Sequence, residues 1–236
     1  MADGPVLIIT GASSGIGAET ARQAAEAGYR IVLAARREDE LSELAGELGG
    51  PERAIAVRCD VTEWPDCEAL AAAAADAFGG FDAVFANAGF GAARGFLEES
   101  PEHWRAMILT NVLGVAQTIR ATLPHLLDQG TGHFLLTSSV AGRRALPGSI
   151  YSSTKWAVTG MGESLRQELR QMHDNQRIRV TLIEPGMVDT PFFDNRPGPD
   201  NALHDADIAR AVVYALSQPE RVDVNEMLIR PTQQSS

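Results

Sequence analysis

The sequence predicts an α/β fold in which a single doubly wound parallel sheet of about seven strands is covered by helices on both faces. Three observations predict it. Short, unbroken apolar runs such as residues 6–9 are typical of strands buried on both sides. Segments of helical length alternate with these runs along the chain. Glycine-rich and polar residues directly follow the runs, as they do where open parallel sheets bind ligands. No linker or internal repeat divides residues 1–236, so one domain is expected.

Composition and charge exclude several classes of function. The chain has 236 residues, 44% of them apolar, which suits one domain with a large buried core. Its formal net charge is −11 and no basic cluster is present, so no nucleic-acid partner is expected. There is no apolar run of about 18 residues and no secretory signal, which predicts a cytoplasmic protein without a membrane span. Cys59 and Cys67 lack metal-ligand spacing, so reduced structural thiols and no metal site are expected.

The first strand, expected at 5–10, leads into a glycine-rich turn at 10–17 and then into an alanine-rich helix. Gly11, Gly15 and Gly17 allow the backbone to approach a ligand closely. The N-terminus of the following helix offers unpaired N–H groups and the positive end of the helix dipole, which suits a pyrophosphate. The spacing is Gly-x-x-x-Gly-x-Gly rather than the more familiar Gly-x-Gly-x-x-Gly, and a tight turn without a ligand is the alternative.

The next three predicted strands are each followed by polar or charged residues. The strands are expected at 30–35, 54–59 and 81–86, with a charged helix reaching residues 49–50 and another helix at 65–78. They are followed, in order, by Arg36-Arg37, Asp60-Val61 and Asn87-Ala88-Gly89. Because the carboxyl ends of parallel strands meet at one edge of a sheet, these groups are expected near the glycine turn.

The second half of the chain continues the alternation. Helices are expected at 101–127, 150–172 and 205–217, and strands at 133–137, 179–184 and 226–229. Asn111 falls in the middle of the first of these helices, where asparagine is a poor helix former. The strands at 133–137 and 179–184 lead into Ser138-Ser139 and Pro185-Gly186, respectively. These segments therefore reach the same edge of the sheet as the glycine turn.

Tyr151 and Lys155 form a candidate acid/base pair. They are four residues apart on a predicted helix, so they share one face. A nearby ammonium favours the phenolate and is expected to lower the tyrosine pKa from its usual value of about 10. A serine from the preceding strand could hold a carbonyl oxygen beside the phenol. The pattern indicates carbonyl–alcohol interconversion, and an amphipathic helix with an exposed lysine is the alternative.

Taken in order, these motifs resemble the short-chain dehydrogenase/reductase family over essentially the whole chain. The resemblance rests on the glycine turn, Asp60-Val61, Asn87-Ala88-Gly89, Asn111, the serine pair, Tyr151-x-x-x-Lys155, and Pro185-Gly186 with Thr190. It implies a Rossmann fold and an oxidoreductase that transfers hydride between a cofactor and a small alcohol or carbonyl substrate. The catalytic residues that it implies are Asn111, Ser139, Tyr151 and Lys155.

The same resemblance implies which residues bind the cofactor and how they act. Lys155 would lower the pKa of Tyr151 and bind the nicotinamide ribose, while Asn111 would anchor a water that relays protons through Lys155. Asp60 and Val61 would flank the adenine. Asn87 and Gly89 would contact the riboses, and Val188 and Thr190 the carboxamide. The expected cofactor residues are Gly11, Ser13, Ser14, Gly15, Ile16, Gly17, Arg36, Arg37, Asp60, Val61, Asn87, Ala88, Gly89, Tyr151, Lys155, Pro185, Gly186, Val188 and Thr190.

The end of the second strand predicts NADP as the cofactor. Dehydrogenases that select NAD usually place an Asp or Glu here, whereas this chain has Ala35. The Arg36 guanidinium that follows can pair with a 2′-phosphate, and Ser13 could add a hydroxyl donor. The alternative is that Arg36-Arg37, or Arg37 alone, only begins a solvated, charged helix.

The chain departs from the family pattern at three places. Ser138 lies thirteen residues before Tyr151, which is the usual spacing of the catalytic serine, whereas Ser139 has the usual local pattern Ser-Val-Ala-Gly. Ser139 is the predicted catalytic residue. Ala86 stands where the family often has a second asparagine. The segment at 190–204 is short, so a small substrate lid is expected.

Several residues bear on the substrate. Arg143 and Arg144 could bind a substrate carboxylate, or they could be ordinary loop arginines. An apolar pocket wall is expected from Phe90, Met187, Phe192 and Phe193. The tail segment 225–233 resembles a bacterial subgroup that includes 3-hydroxy acid (serine-type) and clavulanic acid-type dehydrogenases. A hydroxy acid is thus one expected substrate class.

A homodimer or homotetramer is expected, because the family commonly pairs the helices at 101–127 and 150–172 across a two-fold axis. In this chain the two helices carry Met107, Val112, Val115, Trp156, Val158 and Met161. The functional alternative is a catalytically silent, NADP-binding regulatory or scaffold protein. The complete set of serine, tyrosine, lysine and asparagine favours the enzyme, since a sensor needs the glycine turn but not the phenol.

Overall fold

The computed structural model describes residues 4–91, 95–147, 149–190 and 201–234. Seven parallel strands form one sheet in the order β3-β2-β1-β4-β5-β6-β7. The strands are β1 (Val6–Thr10), β2 (Arg30–Ala35), β3 (Ala54–Arg58), β4 (Ala83–Ala86), β5 (Gly132–Thr137), β6 (Ile178–Pro185) and β7 (Glu226–Ile229). The α-helices are α1 (Gly15–Glu26), α2 (Glu38–Glu47), α3 (Trp64–Phe78), α4 (Pro101–Ile108), α5 (Gly114–Gln129), α6 (Tyr151–Gln171) and α7 (Asp205–Ser217). The strand order reverses direction between β1 and β4, which opens a crevice at the carboxyl ends of these strands.

Two apolar clusters, one on each face of the sheet, form the core. The first includes Leu70 of α3, Ile119 of α5 and Leu165 of α6. The second includes Ala21 of α1 and Val212 of α7. Every residue of β1 is buried because neighbouring side chains point to opposite faces and both faces are covered. The predicted doubly wound α/β fold is confirmed.

The helix predicted at 101–127 is interrupted. α4 and α5 are joined by a π-helical turn, Leu109–Leu113, which contains the buried Asn111. The turn inserts an extra residue into the helical ladder, and π-turns of this kind recur at functional sites. The sequence pointed to Asn111 as a poor helix former but did not indicate this change of winding.

The composite helix Pro101–Gln129 is long and apolar enough, with a mean hydropathy of 1.2, to be a candidate membrane span. This is weak evidence, because a helix that packs into a protein core passes the same test. Val115, Ile119 and Leu126 of this helix pack into the first core cluster. Its apolar composition is therefore explained in part by packing on the sheet.

The predicted lid at 190–204 falls largely outside the described residues, together with Phe192 and Phe193. Its two ends meet: Leu203 bridges Val188, its N–H donates to the carbonyl of Met187 at 2.9 Å, and its carbonyl accepts from the N–H of Asp189 at 2.8 Å. The chain thus leaves β6 and returns to α7 from nearly the same point.

Candidate active site

A cavity of about 400 Å³ lies at the carboxyl ends of β1, β4, β5 and β6. It brings together the glycine turn, the segment after β4, the serine pair, the start of α6 and the segment after β6. Thirteen of the predicted site residues line it: Gly11, Ser14, Gly15, Ile16, Asn87, Gly89, Ser139, Tyr151, Lys155, Pro185, Gly186, Val188 and Thr190. The topology therefore gathers residues that are far apart in sequence into one site.

Tyr151 is the first residue of α6; it is half-buried, and its phenol is hydrogen-bonded to Ser139. Burial raises the pKa of Tyr151 to about 12, and the hydrogen bond with Ser139 opposes this rise. The sequence predicted a net lowering of this pKa beside Lys155, whereas the net shift is upward. Lys155 Nζ lies 5.8 Å from the centroid of the Tyr151 ring, and the loss of hydration outweighs other effects on the phenol.

Lys155 lies one turn further along α6 and is only 4% exposed. Its Nζ donates a hydrogen bond to the carbonyl oxygen of Thr137 at 2.8 Å. Burial lowers the pKa of Lys155 to about 8, because the charged form loses its hydration. A surface lysine on an amphipathic helix would show neither feature, which argues against the structural alternative for the pair.

The two serines have different environments. Ser138 Oγ is 3.1 Å from the carbonyl oxygen of Lys155 and 2.8 Å from Thr159 Oγ1, so its hydroxyl ties β5 to α6. Ser139 Oγ bonds to Tyr151 and lies 3.3 Å from the carbonyl oxygen of Pro185. Adjacent residues leave a strand in opposite directions, which separates these roles. The geometry favours Ser139, the residue chosen on its local pattern rather than its spacing.

Alanine variants of the two serines separate these roles. Ser139→Ala is expected to lower kcat about a hundredfold, since it removes the hydroxyl beside the reacting oxygen. Ser138→Ala should leave kcat within a few-fold of wild type and cost about 1 kcal/mol of unfolding free energy for its lost hydrogen bonds. Steady-state kinetics and urea unfolding of both variants measure these effects. A larger kcat loss in Ser138→Ala would reassign the catalytic serine.

Asn111 lies behind the cavity rather than in its wall. Its Nδ2 donates to the carbonyl of Phe90 at 2.9 Å and lies 3.3 Å from Thr154 Oγ1, and its Oδ1 accepts from the N–H of Phe90 at 3.0 Å. A Cβ at Gly89 would lie 3.1 Å from Asn111 Oδ1. The side chain thus fixes the segment 89–90 after β4, and its expected role in a proton relay stays a prediction.

The glycine turn forms a cradle that fits the phosphates of a dinucleotide. Gly11 and Gly15 have φ values of 68° and 54°, in the left-handed region that favours glycine. A Cβ at Gly11 would lie 2.9 Å from the Cα of Ala88, and a Cβ at Gly17 would lie 2.9 Å from Asn87 Nδ2. The first turn of α1 contains no acidic residue, unlike those of α2, α3 and α7, so its positive end is available to an anion.

The segment after β4 is fastened to this cradle through Asn87. Its Nδ2 donates to the carbonyl of Thr10 at 3.2 Å, and its Oδ1 accepts from Thr137 Oγ1 at 3.1 Å. Thr10 Oγ1 accepts from the N–H groups of Asn87 and Ala88 at 3.0 and 3.2 Å. Hydrogen bonds therefore connect the ends of three neighbouring strands around the predicted cofactor cleft.

The two arginines after β2 have different surroundings, and the expected role of Arg36 stays a prediction. Arg37 Nη2 lies 2.8 Å from both Ser13 Oγ and Ser14 Oγ, and Arg37 Nη1 lies 3.2 Å from Glu40. Arg36 is exposed, and among the described residues it has no hydrogen-bond or ion-pair partner. Arg37 is thus an integral part of the glycine turn rather than only the start of α2. Arg36 remains available at the same edge.

Asp60 and Val61 lie between β3 and α3, outside the cavity wall. Asp60 Oδ1 accepts from the backbone N–H and the hydroxyl of Thr62 at 3.0 and 2.8 Å, which shapes the turn into α3. Val61 packs in the first core cluster, and a Cβ at Gly114 would lie 2.6 Å from its Cγ2. Their predicted contacts with the adenine stay predictions.

Some wall residues were missed by sequence reasoning: Gly91, Thr137, Val140, Ala141, Leu146, Pro147, Ser152 and Gln234. Gln234, in the C-terminal tail, accepts a hydrogen bond from the N–H of Met187 at 3.0 Å through Oε1. The tail was singled out as a subgroup feature, but no local pattern places it in the cavity. Phe90 and Met187 line the cavity as predicted, and Phe192 and Phe193 lie outside the described residues.

Arg143 does not have the freedom expected of a substrate-binding arginine. Its guanidinium forms ion pairs with Glu184 and Glu226. Arg144 is exposed beside it, and its proposed contact with a carboxylate stays a prediction. In the part of the chain that the structure describes, no three His, Cys, Asp or Glu side chains are grouped to hold a metal ion, and both cysteines are buried and free.

The chain is similar in sequence and fold to several known proteins. The family model described as short chain dehydrogenase matches residues 5–200. An uncharacterized oxidoreductase of Staphylococcus saprophyticus is 40% identical over 242 residues, which cover 98% of this chain and 97% of that protein. The alcohol dehydrogenase of the archaeon Thermococcus sibiricus, complexed with 5-hydroxy-NADP, has a TM-score of 0.90 and 34% identity, with 99% of both chains covered.

A second solved structure, the closed form of a serine dehydrogenase complexed with NADP+, has a TM-score of 0.89 and 29% identity. It is matched over 98% of this chain and 96% of its own. Other structures of similar fold hold NADP or NAD. The sequence match, the strand order and the cavity together show that this chain is an oxidoreductase of the short-chain dehydrogenase family.

Proposed function

We propose that the protein is an NADP(H)-dependent oxidoreductase that interconverts an alcohol and its carbonyl compound, with Tyr151 as the general acid/base. One observation carries the proposal. The half-buried Tyr151 phenol is hydrogen-bonded to Ser139 beside the buried Lys155, in a cavity that continues into the glycine cradle. The reactive groups and the glycine cradle line one cavity there, as hydride transfer from a bound cofactor requires.

When bound, the nicotinamide cofactor supplies or accepts the hydride. The chain provides the proton and the geometry. With a pKa of about 12, Tyr151 is protonated at neutral pH and can donate its proton to a carbonyl oxygen as the reduction proceeds. Ser139 donates a hydrogen bond to the same oxygen, and the Lys155 ammonium stabilises the phenolate that remains. In oxidation the same groups act in reverse, with Tyr151 as the base.

Selectivity for NADP is proposed from the residues after β2. Ala35 replaces the acidic residue that accepts from a ribose in NAD-selective enzymes, and two guanidinium groups stand at this edge. Arg37 is hydrogen-bonded to Ser13 and Ser14 of the glycine turn. Its guanidinium and these hydroxyls can therefore contact a 2′-phosphate together. Arg36 can add a second charge-assisted contact.

Arginine variants are expected to change the cofactor preference. Arg36→Ala should raise the KM for NADPH at least about tenfold and change that for NADH little, since one charge-assisted bond is worth about 1.5–3 kcal/mol. Arg37→Ala should weaken the binding of both cofactors, because Ser13 and Ser14 of the glycine turn lose their hydrogen bonds to the guanidinium. Steady-state kinetics with both cofactors test this. Arg105→Ala, in α4, is the matched control. A wild-type preference for NADH would contradict the proposal.

The experiment for the activity itself is NADPH oxidation against a panel of small ketones, aldehydes and keto acids. The panel includes keto acids because the chain resembles hydroxy acid dehydrogenases at its C-terminal tail. Turnover of at least one compound is expected. Tight NADPH binding without turnover across the panel would instead support the regulatory or scaffold alternative.

A cytoplasmic homodimer or homotetramer, acting on a small molecule without nucleic acid or membrane, completes the proposal. Of the six apolar residues noted on the expected interface helices, Met107, Val115 and Val158 are buried in the protomer. Exposed apolar side chains on the same helices are instead Ile108, Leu113 and Trp156. Exposed apolar side chains of this size favour association where they meet a partner surface. Light scattering at micromolar concentration measures the mass, and a monomer would contradict it.

A further inference from the structure

The Arg143 guanidinium joins the ends of three parallel strands. Arg143 is the C-cap of the short 3₁₀ turn Val140–Gly142. This turn follows Ser139, just after β5. Arg143 Nε lies 2.6 Å from Glu184 Oε1 at the end of β6, and its Nη2 pairs with Glu226 at the start of β7. The side chain of Glu184 is only 1% exposed. A buried carboxylate thus has a guanidinium as its counter-ion.

The two residues of this ion pair lie on two backbone segments that are also joined by a hydrogen bond of the active site. Ser139 Oγ donates to the carbonyl oxygen of Pro185 at 3.3 Å. Arg143 lies four residues after Ser139, in the same turn, and Glu184 immediately precedes Pro185. The turn is also closed by the N–H of Arg143, which donates to the carbonyl of Val140 at 3.0 Å. The ion pair therefore fixes the two backbone segments whose separation sets the position of the Ser139 hydroxyl.

We propose that Arg143 and Glu184 are a positioning pair, which holds Ser139 and the Pro185-Gly186 wall in register for catalysis. Neither side chain touches the reacting atoms; they act through the backbone segments that carry Ser139 and Pro185. The inference rests on the proposed function, because it concerns the same site. It also assigns Arg143 a role different from binding a substrate carboxylate.

The charge state of Glu184 makes the expected defect in catalysis depend on pH. Burial raises the pKa of the Glu184 carboxyl, and the Arg143 guanidinium opposes the rise. The charged groups that act on Glu184 are Arg143 in the turn and Glu226 on β7, and Glu226 repels it. Without Arg143, ionised Glu184 is unpaired in a buried site and must move toward solvent, which displaces Pro185. Protonated Glu184 has no such cost, so the defect grows as pH rises.

Four variants test the pair: Arg143→Met, Glu184→Gln, the double variant, and Glu226→Gln as the matched control. Glu226 contacts the same guanidinium but is largely solvent-exposed. Activity is expressed as the variant's kcat divided by the wild-type kcat at each pH from 5.5 to 8.5, so that titration of other groups cancels. Arg143→Met should lose at least about tenfold at the alkaline end and much less at the acidic end.

The double variant, which removes both charges, should recover to within about threefold of wild type and lose the pH trend. Glu226→Gln should stay within about twofold of wild type at every pH. A pH-independent loss in Arg143→Met that Glu184→Gln does not rescue would overturn the proposal. Wild-type rates in Arg143→Met at all pH values would also overturn it.

A crystal structure of Arg143→Met at pH 8 measures the Ser139–Pro185 hydrogen bond directly, so this test does not depend on enzyme activity. Separation of Ser139 Oγ from the Pro185 carbonyl by about 1 Å more than in wild type is expected, and an unchanged contact would overturn the proposal. Absence of wild-type turnover on the whole carbonyl panel would instead contradict the proposed function, while this structural comparison would still decide the positioning role.

Discussion

Tyr151→Phe is expected to lower kcat by about a thousandfold or more while the Kd for NADPH stays within a few-fold of wild type. The variant removes one oxygen, which is the atom that bears the transferred proton. The rest of the ring keeps its packing, and Lys155 keeps its bond to Thr137. Stopped-flow and steady-state kinetics with the best carbonyl compound of the panel measure kcat, and quenching of tryptophan fluorescence measures NADPH binding.

The matched control is Tyr214→Phe, because Tyr214 is an exposed tyrosine on α7. It should have wild-type kinetics. If Tyr151→Phe retained the wild-type kcat, Tyr151 would not be the general acid, and the mechanism would need another proton donor. If both kcat and NADPH binding were lost, the phenol would serve mainly to shape the cofactor site.

Lys155→Met is expected to abolish turnover but to make the fold more stable at pH 7. The lowering of the Lys155 pKa from 10.5 to about 8 corresponds to about 3 kcal/mol of unfavourable burial of the charged form. Methionine has a similar length and no charge to desolvate. The lost hydrogen bond to Thr137 offsets about 1 kcal/mol, so a net gain of about 1–2 kcal/mol in unfolding free energy is expected.

The pH dependence of this gain has a definite sign. The folded pKa of Lys155 lies below its unfolded value, so the cost is fully present below about pH 8 and disappears as pH rises toward 10.5. The difference in unfolding free energy between Lys155→Met and wild type should therefore shrink between these pH values. Urea unfolding at pH 7 and pH 9.5 measures it. A variant less stable than wild type at pH 7 would contradict the expected cost.

Lys155 is the only lysine of the chain, which makes its pKa directly measurable. Protein labelled with ¹³C-lysine should give one Cε resonance, and its titration should have a midpoint near 8. A midpoint near 10.5 would show that the ammonium is hydrated and would remove the basis for the stability prediction. If the ammonium supports Tyr151, kcat for carbonyl reduction should be constant below pH 8 and fall above it.

The sequence by itself determined the fold class and the location of the site. Unbroken apolar strands such as β1 must be buried on both faces. Where such strands alternate with helices, a doubly wound parallel sheet buries them in this way. Residues that follow the strands must then meet at one edge. The spacing of Tyr151 and Lys155 placed both on one face of α6, since helical periodicity is local.

Only the tertiary structure decided how the individual side chains are used. Ser138 and Ser139 are neighbours in sequence, yet one binds α6 and the other binds Tyr151, because the exit direction from β5 depends on where α6 packs. The partners of Arg143 come from β6 and β7, more than forty residues away.

Burial was equally inaccessible to sequence reasoning. A nearby lysine predicted a lowered pKa for Tyr151, whereas the surrounding protein raises it by excluding water. Likewise, Gln234 reaches Met187 only because the C-terminal tail crosses the end of β6. Local spacing determines which residues share a helix face or a sheet edge. Hydration and partner choice depend on atoms that the fold brings from distant segments, and these set the protonation and orientation of the groups that react.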